Sequence, residues 1–122
     1  MKLYDLIRLD HFRGFEAYYA IPFGAENAKN GHWEKGPGMK LFNAIKARDR
    51  GAEFIAEDLG FLTDDVHKLL AESGFPGMKV LQFAFDPYND NPYLPYNYTE
   101  NCVAYTGTHD NDTLIGWYQN EQ

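Results

Sequence analysis

The 122-residue chain has 44% hydrophobic and 24% charged residues, which excludes collagen-like, low-complexity and disordered classes. Eleven Lys and Arg against 18 Asp and Glu give a net charge of -7, which disfavours nonspecific binding to nucleic acid or to an anionic membrane. No apolar run approaches the roughly 20 residues that span a bilayer, and no signal peptide is expected at the start. The single cysteine, Cys102, excludes an internal disulfide and favours a reducing, cytoplasmic setting.

The first predicted strand covers residues 3–9, which are apolar and rich in β-formers, so we expect it to be largely buried. Asp10 follows it directly. Residues 14–38 contain five glycines and two prolines, which predicts mostly loop with at most a short helical turn. A connection of that length is often functional. Apolar residues at 41, 42, 44 and 45 predict a helix over 39–50 with one buried face.

The rest of the chain continues with alternating strands and helices. A strand is predicted over 53–58, and Thr63 with two following acids predicts the start of a helix that ends at Gly74. The remaining predicted elements are a strand over 78–85, a loop over 86–98, a strand over 102–106 and a helix from Thr113. Strands separated by helix-length connections predict an α/β fold of about four βα units with a parallel sheet.

Parallel sheets place their chemistry at the carboxyl ends of their strands. The polar residues at these predicted ends are Asp10, Glu57 with Asp58, Asp86, and His109 with Asp110. Several carboxylates that converge on one cleft suit glycosyl transfer, because one can attack an anomeric carbon while another protonates the leaving oxygen. Arg8 lies two residues before Asp10, on the same side of the strand, and can hold that carboxylate charged and oriented.

Aromatic residues make up 16% of the chain, and two explanations stay open. They can form a large aromatic core, or they can line a surface with rings that stack on sugars or bases. The acidic charge balance favours sugars over bases.

Each candidate residue also has a purely structural explanation. Asp10 can cap a loop, Arg8 can form a plain ion pair, and only one of the adjacent Glu57 and Asp58 can face a cleft. His11 can be a half-buried histidine that is satisfied by hydrogen bonds, and Cys102 lies within an apolar strand and is expected in the core.

Two sequence motifs are reminiscent of binding sites, but each lacks a required feature. Residues 109–112 (HDND) resemble metal ligands, but the run is too short for a calcium loop, which needs a glycine and a distant glutamate. Residues 36–38 (GPG) lack the strand-turn-helix context and the lysine of a phosphate-binding loop, which argues against a nucleotide site.

Five motifs, in this order, give the chain a specific resemblance to the 4-α-glucanotransferase family, whose members are also called amylomaltases or disproportionating enzymes. They are Arg8–Phe15 (RLDHFRGF), Lys35–Gly38 (KGPG), Ile55–Gly60 (IAEDLG), Gly74–Phe83 (GFPGMKVLQF) and Tyr105–Thr113 (YTGTHDNDT). The match departs mildly at Leu9, where the family has isoleucine, and at Tyr19, where it has tryptophan. Together the motifs cover nearly the whole chain.

The resemblance implies a (β/α)₈ TIM-barrel enzyme that moves α-1,4-glucan segments between maltooligosaccharides, by double displacement with retention. It implies that Asp10 is the nucleophile, Glu57 the general acid/base and Asp110 the acid that stabilises the transition state. Arg8 would accompany the nucleophile, and His109 would bind a glucose unit. Neither a metal nor an organic cofactor is expected. The partners would be maltooligosaccharides or glucans derived from starch or glycogen, with no nucleic acid and no membrane.

The length of the chain bears on whether it can be active by itself. A barrel of this type takes roughly 250 residues, so residues 1–122 would form a partial catalytic domain, the fourth to the seventh strand. Four strands cannot close a barrel, which predicts self-association or assembly with the missing barrel half. The alternative to an active enzyme is therefore a catalytically silent fragment that acts only as a sugar-binding or structural piece.

Overall fold

The computed structural model describes residues 3–85 and 91–120. Its chain divides into two compact units, Met1–Phe75 and Pro76–Gln122, which are described in turn. Asp86, one of the predicted strand-end carboxylates, lies outside the described residues. None of the helices in the described ranges is long and apolar enough to cross a membrane.

The first unit contains four strands and two helices. They are β1 (Leu6–Leu9), β2 (Ala17–Ala20), β3 (His32–Lys35), α1 (Met39–Arg48), β4 (Glu53–Ala56) and α2 (Asp64–Ser73). Short 3₁₀ turns occupy Phe12–Phe15 and Ala28–Asn30. Both predicted helices and both predicted strands of this part of the chain are therefore present, with the strands shorter than expected.

Strands β1 and β4 pair in parallel, which confirms the predicted orientation. The register runs from Leu6 opposite Glu53 to Leu9 opposite Ala56. The expectation that residues 3–9 are largely buried is wrong, since Leu6 is 47% exposed and Leu3 84% exposed. The reason is that successive side chains of β1 point to opposite faces: Ile7 and Leu9 pack against the core, whereas Leu6 lies on the face that is open to solvent.

The segment 14–38 contains an element that the sequence did not predict. Most of it is loop or 3₁₀ turn, as expected, but β2 and β3 form an antiparallel hairpin within it, in which Tyr19 lies opposite Trp33. The two rings meet edge to face at 5.5 Å, and the Tyr19 hydroxyl donates to the Ala28 carbonyl. Cross-strand aromatic pairs stabilise such a hairpin. Each strand has only four residues, so the glycines and prolines around them dominate the sequence pattern.

The core of the first unit is aromatic. Phe12 and Phe42 are stacked at 5.6 Å with an interplanar angle of 7°, and both are almost fully buried. The Phe75 ring packs edge to face against Phe42 and also contacts the ring of Phe54. The first explanation for the aromatic content, a buried core, is thus correct for these phenylalanines, whereas several tyrosines and both tryptophans are at least partly exposed.

Helix α2 begins and ends where the sequence predicts. Thr63 is its N-cap residue, although the Thr63 side chain makes no capping hydrogen bond. Gly74 takes a left-handed conformation with φ of 71° and donates to the carbonyls of Leu70 and Ala71. This geometry is the usual glycine stop, because glycine has no Cβ penalty there.

The GPG motif lies between strand β3 and helix α1, so the expectation that it lacks a strand-turn-helix context is wrong. Its glycines have a structural role in the first unit. The Gly36 amide donates to the Glu16 carbonyl at 2.7 Å, and the Gly38 amide donates to the Phe15 carbonyl at 2.8 Å. Both bonds fasten the start of α1 to the 3₁₀ turn that follows β1. The backbone approaches so closely that a Cβ on Gly36 would lie 2.3 Å from the Phe15 carbonyl oxygen.

We therefore expect Gly36→Ala to destabilise the chain by about 1–3 kcal/mol, because the backbone must shift to relieve the overlap. Urea unfolding followed by circular dichroism measures the effect. Gly51→Ala is the matched control, since a Cβ there would meet only the Asp49 side chain, at 3.6 Å. Equal unfolding midpoints for the two variants would contradict the prediction.

In its described residues, 76–85 and 91–120, the second unit has two parallel strands and one helix. They are β5 (Gly77–Val80), β6 (Cys102–Tyr105) and α3 (Leu114–Asn120), with 3₁₀ turns at Leu81–Phe85 and Pro95–Asn97. The prediction of one strand over 78–85 is wrong after Val80. Val80 lies opposite Tyr105, the last residue of β6, so the pairing ends there and the backbone turns. Cys102 is only partly buried, which corrects its predicted core position.

Tyr98 offers a test of packing in the second unit. Its hydroxyl is buried and has no hydrogen-bond partner among the described residues. Burial raises the pKa of the Tyr98 phenol above its ordinary value of 10.0, and Cys102 raises it further. The unfolded chain therefore releases this proton first, and the stability falls as pH rises from about 10 towards the folded pKa.

We expect Tyr98→Phe to keep or slightly increase stability at pH 7 and to reduce the loss of stability above pH 10. The ring is retained, and an unsatisfied buried hydroxyl is removed. Urea midpoints across that pH range measure both effects. Tyr96→Phe serves as the control, because the Tyr96 side chain is 77% exposed. An identical alkaline loss in the two variants would contradict the assignment.

Candidate active site

Two of the residues predicted to be catalytic follow neighbouring strands of the first unit. Leu9 and Ala56 are the last paired residues of β1 and β4, so Asp10 and Glu57 follow at the same edge of the sheet. Neighbouring strands lie about 4.8 Å apart in the hydrogen-bonding direction. The parallel pair thus places Asp10 and Glu57 at neighbouring backbone positions, directly after the two strands.

Asp10 is held by Arg8. One guanidinium nitrogen, Nη1, lies 2.8 Å from Asp10 Oδ1. The Asp10 side chain is 76% exposed, and that of Arg8 is 34% exposed. The carboxylate is consequently oriented on one side and accessible on the other, as an attacking group must be.

Glu57 is held by main-chain amides. Its Oε2 accepts from the His11 amide at 2.7 Å, and its Oε1 accepts from the Leu59 amide at 2.9 Å. Its backbone is anchored as well, because the Glu57 amide donates to the Leu9 carbonyl and the Phe12 amide donates to the Glu57 carbonyl. The partly buried carboxylate therefore has a defined orientation towards the end of β1.

His11 differs from its prediction. It is exposed rather than half-buried, and it takes a left-handed backbone conformation with φ of 50° and ψ of 54°. Among the described residues it alone has positive φ without being glycine. Such a conformation is uncommon for a residue with a side chain and is often found at functional sites.

His109 and Asp110 lie in the second unit, after β6. The His109 ring nitrogen Nε2 is 3.3 Å from Asp110 Oδ1, and both side chains are more than three-quarters exposed, at 77% and 81%. Asn111 fixes the turn that carries them, because its Oδ1 accepts from both the amide and the hydroxyl of Thr108. The two side chains are thus presented to solvent on a well-defined turn.

The metal-site alternative for residues 109–112 finds no support in the geometry. Asn111 Oδ1 is occupied by Thr108, and Asp112 accepts from the Thr113 amide and from the Asn120 side chain. Within residues 3–85 and 91–120, no group of three or more His, Cys, Asp or Glu side chains is placed to hold a metal ion. Asn111 and Asp112 instead organise the turn and the start of α3.

Arg13 also helps to hold the turn after Asp10, and the sequence reasoning did not single it out. Its Nη1 donates to the Phe61 carbonyl at 3.2 Å, and its guanidinium lies 5.0 Å from the centre of the Trp33 ring. It therefore connects the turn after Asp10 with the loop after Glu57 and with the hairpin. Its position three residues after Asp10 could have indicated a role near the site. Its contacts, however, are with segments that are distant in the sequence, which a local pattern does not predict.

The first unit also has a cleft of about 560 Å³ that contains none of the predicted site residues. It lies between residues 35–40 and one face of α2. Three lysines and three acids are among the residues that line it. These acids and lysines are Glu16, Lys35, Lys40, Asp65, Lys68 and Glu72.

Comparison of this sequence with known protein families and proteins identifies the family of the chain. The 4-alpha-glucanotransferase family model matches residues 1–122. The chain belongs to the 4-alpha-glucanotransferase family. It is 59% identical over 119 residues to the 4-alpha-glucanotransferase of Clostridium butyricum, and 55% identical over 120 residues to that of Streptococcus pneumoniae serotype 4. The resemblance drawn from the five motifs is thereby confirmed.

A solved structure of an amylomaltase also matches this chain. The amylomaltase from Streptococcus agalactiae in complex with acarbose matches with a TM-score of 0.87 and 44% identity, over 98% of this chain. The chain spans about a quarter of the proteins that it matches, 24% of the C. butyricum relative and 24% of the S. agalactiae chain. The α/β class with parallel strands is confirmed by the two strand pairs, β1 with β4 and β5 with β6.

Proposed function

We propose that this chain supplies the catalytic carboxylates of a 4-α-glucanotransferase that transfers α-1,4-glucan segments between maltooligosaccharides. The observation that carries the proposal is the pair at one sheet edge, with Asp10 held by Arg8 and Glu57 held by two amides. The Asp10 carboxylate is accessible to a substrate, and the Glu57 carboxylate is held in one orientation at the end of the neighbouring strand. The family membership supports the substrate class, starch- or glycogen-derived glucans.

The proposed reaction is a double displacement. Asp10 attacks the anomeric carbon and the glycosidic bond breaks, while Glu57 gives its proton to the leaving oxygen. Glu57 then takes the proton of an acceptor hydroxyl, which attacks the same carbon and releases Asp10. The configuration is retained, and this outcome requires the two carboxyl groups to lie about 5–5.5 Å apart.

Two further roles are proposed for residues of the second unit. We assign Asp110 to stabilisation of the positively charged transition state and His109 to binding of a glucose unit. The support is local, since both side chains are exposed on the turn after β6, which Thr108 and Asn111 hold in place. The TIM-barrel architecture, with residues 1–122 as its fourth to seventh strands, belongs to the same proposal, as does a cytoplasmic setting for the single thiol of Cys102.

A catalytically silent fragment is the second candidate, and the 24% coverage of the relatives favours considering it. Catalytic groups must be held within about 0.5 Å of working geometry, which a partial scaffold rarely achieves. The exposed apolar side chains Leu3, Leu6 and Ile21 also support self-association or assembly with the rest of a barrel. Size-exclusion chromatography that shows a stable, well-folded monomer would contradict such association.

Incubation with maltotriose tests the function. The chain is assayed alone and as a chimera, in which it replaces the matching 119-residue segment of the C. butyricum relative. Glucose together with longer oligomers from the chimera supports the transferase proposal. Product from the chimera but none from the isolated chain supports the silent-fragment alternative for these residues on their own. A folded chimera without product would refute the proposed function.

A further inference from the structure

We propose that His11 is a positioning residue for Glu57, and that it acts through its left-handed backbone rather than through its imidazole ring. The inference rests on the proposed role of Glu57 as acid/base. Its basis is the coincidence of two features in one residue. His11 has the φ of 50°, and its amide donates the 2.7 Å bond to Glu57 Oε2.

The turn after Asp10 is clamped to the end of β4. The ladder continues past the strands through the bond from the Glu57 amide to Leu9, and the next backbone bond runs from Phe12 to the Glu57 carbonyl. Phe12 is fully buried in the aromatic core, so the turn cannot swing away without unpacking that ring. Between these two anchors, the left-handed step at His11 is what directs its amide to the Glu57 carboxylate.

The imidazole ring is not the group that holds Glu57. It is exposed, and within the described ranges its ring nitrogens form no hydrogen bond. The ring passes over Gly14, where a Cβ would lie 3.0 Å from the His11 Cδ2 atom. The side chain thus occupies space above the turn, while the main chain contacts Glu57.

The consequence is a direct link between the two carboxylates. Asp10 is covalently bonded to the residue whose amide orients Glu57, so a displacement of the nucleophile's turn would also move the acid/base. Displacement of a catalytic group by about 1 Å can cost about 100-fold in rate. The left-handed conformation of His11 therefore fixes the position of Glu57 relative to Asp10.

The test is a series at His11 that separates backbone from side chain. Gly and Asn tolerate the left-handed region, whereas a β-branched residue strongly disfavours it. The variants are His11→Gly, His11→Asn and His11→Val. His32→Val is the matched control, because His32 lies in the extended strand β3, where a β-branched residue is well accepted.

The first readout is an NMR titration of the 122-residue chain. The amide proton of residue 11 should resonate downfield and shift with the titration of the Glu57 carboxyl group, and Glu57→Gln should abolish that dependence. The Gly and Asn variants should keep the dependence, and the Val variant should lose it. A residue-11 amide in the parent chain that is insensitive to Glu57→Gln overturns the inference, whatever the activity.

The second readout is transfer by the chimera. His11→Val should lose about 10- to 100-fold with maltotriose, more than Gly or Asn, while His32→Val stays at the parent rate. The loss should be much smaller in the first step with a glucosyl fluoride, whose leaving group needs no acid. Equal losses for Gly, Asn and Val would show that the imidazole matters and would overturn the inference. An inactive parent chimera would refute the proposed function, and the NMR titration would still decide about the turn.

Discussion

Asp10→Asn should abolish glucan transfer, with a loss on the order of 10⁴-fold or more, because removal of a nucleophile eliminates the covalent intermediate. The amide that replaces the carboxylate carries no negative charge to attack the anomeric carbon. The ion pair with Arg8 is also lost. Release of glucose from maltotriose by the chimera, measured under initial-rate conditions, gives the size of the effect.

The stability of the Asp10→Asn protein should hardly change. The Asp10 side chain is 76% exposed, and an ion pair at such a surface contributes less than about 1 kcal/mol. Asp5→Asn is the matched control, since it makes the same chemical change just before the other end of β1, at an exposed position. A variant at Asp10 that keeps more than a few per cent of the transfer rate would remove this residue from the mechanism.

Glu57→Gln should lower transfer from maltooligosaccharides by about 10²- to 10⁴-fold, the usual contribution of a general acid/base. A glucosyl fluoride should still react with Asp10, because fluoride leaves without protonation. The covalent intermediate should then accumulate, since no base assists the acceptor hydroxyl. Mass spectrometry of the trapped protein detects the intermediate, and full turnover with maltotriose would end the assignment.

The same substitution should also destabilise the protein, which distinguishes Glu57 from an ordinary exposed acid. Both carboxylate oxygens accept amide bonds, from His11 at 2.7 Å and from Leu59 at 2.9 Å. The amide group of glutamine has only one oxygen, so one of these two donors must face another donor. The expected cost is about 1–3 kcal/mol. Glu53→Gln at the exposed opposite end of β4 should cost much less, and equal unfolding midpoints would contradict the geometry.

Local signals explain why some elements were predicted well. Helix α2 has a threonine N-cap, two acids in its first turn and a glycine stop, and all of these act within one turn of the helix end. The placement of Asp10 and Glu57 at the ends of their strands was also predictable, because each lies next to an apolar β-rich run, although the strand predicted over 53–58 already ends at Ala56. Parallel pairing followed from the helix-length connection between β1 and β4.

Nonlocal pairing explains what the sequence reasoning missed. The hairpin depends on Tyr19 and Trp33, which are separated by the turns between β2 and β3, and no four-residue strand carries a periodic signal of its own. The strand predicted over 78–85 ends at Val80 because β6 ends opposite it at Tyr105. The length of a strand is set by its neighbour, which a local pattern does not contain.

The amino-acid sequence by itself determined the family, the residue types of the site and the strand ends at which they lie, because motifs and β-patterns are written in consecutive residues. Only the tertiary structure decided that the Glu57 carboxylate turns towards the His11 amide, and that His11 adopts a left-handed conformation to meet it. Those features arise from contacts between residues 46 positions apart in the chain. Their energy depends on the packing of Phe12 and on the register of β1 with β4, which exist only once the chain has folded.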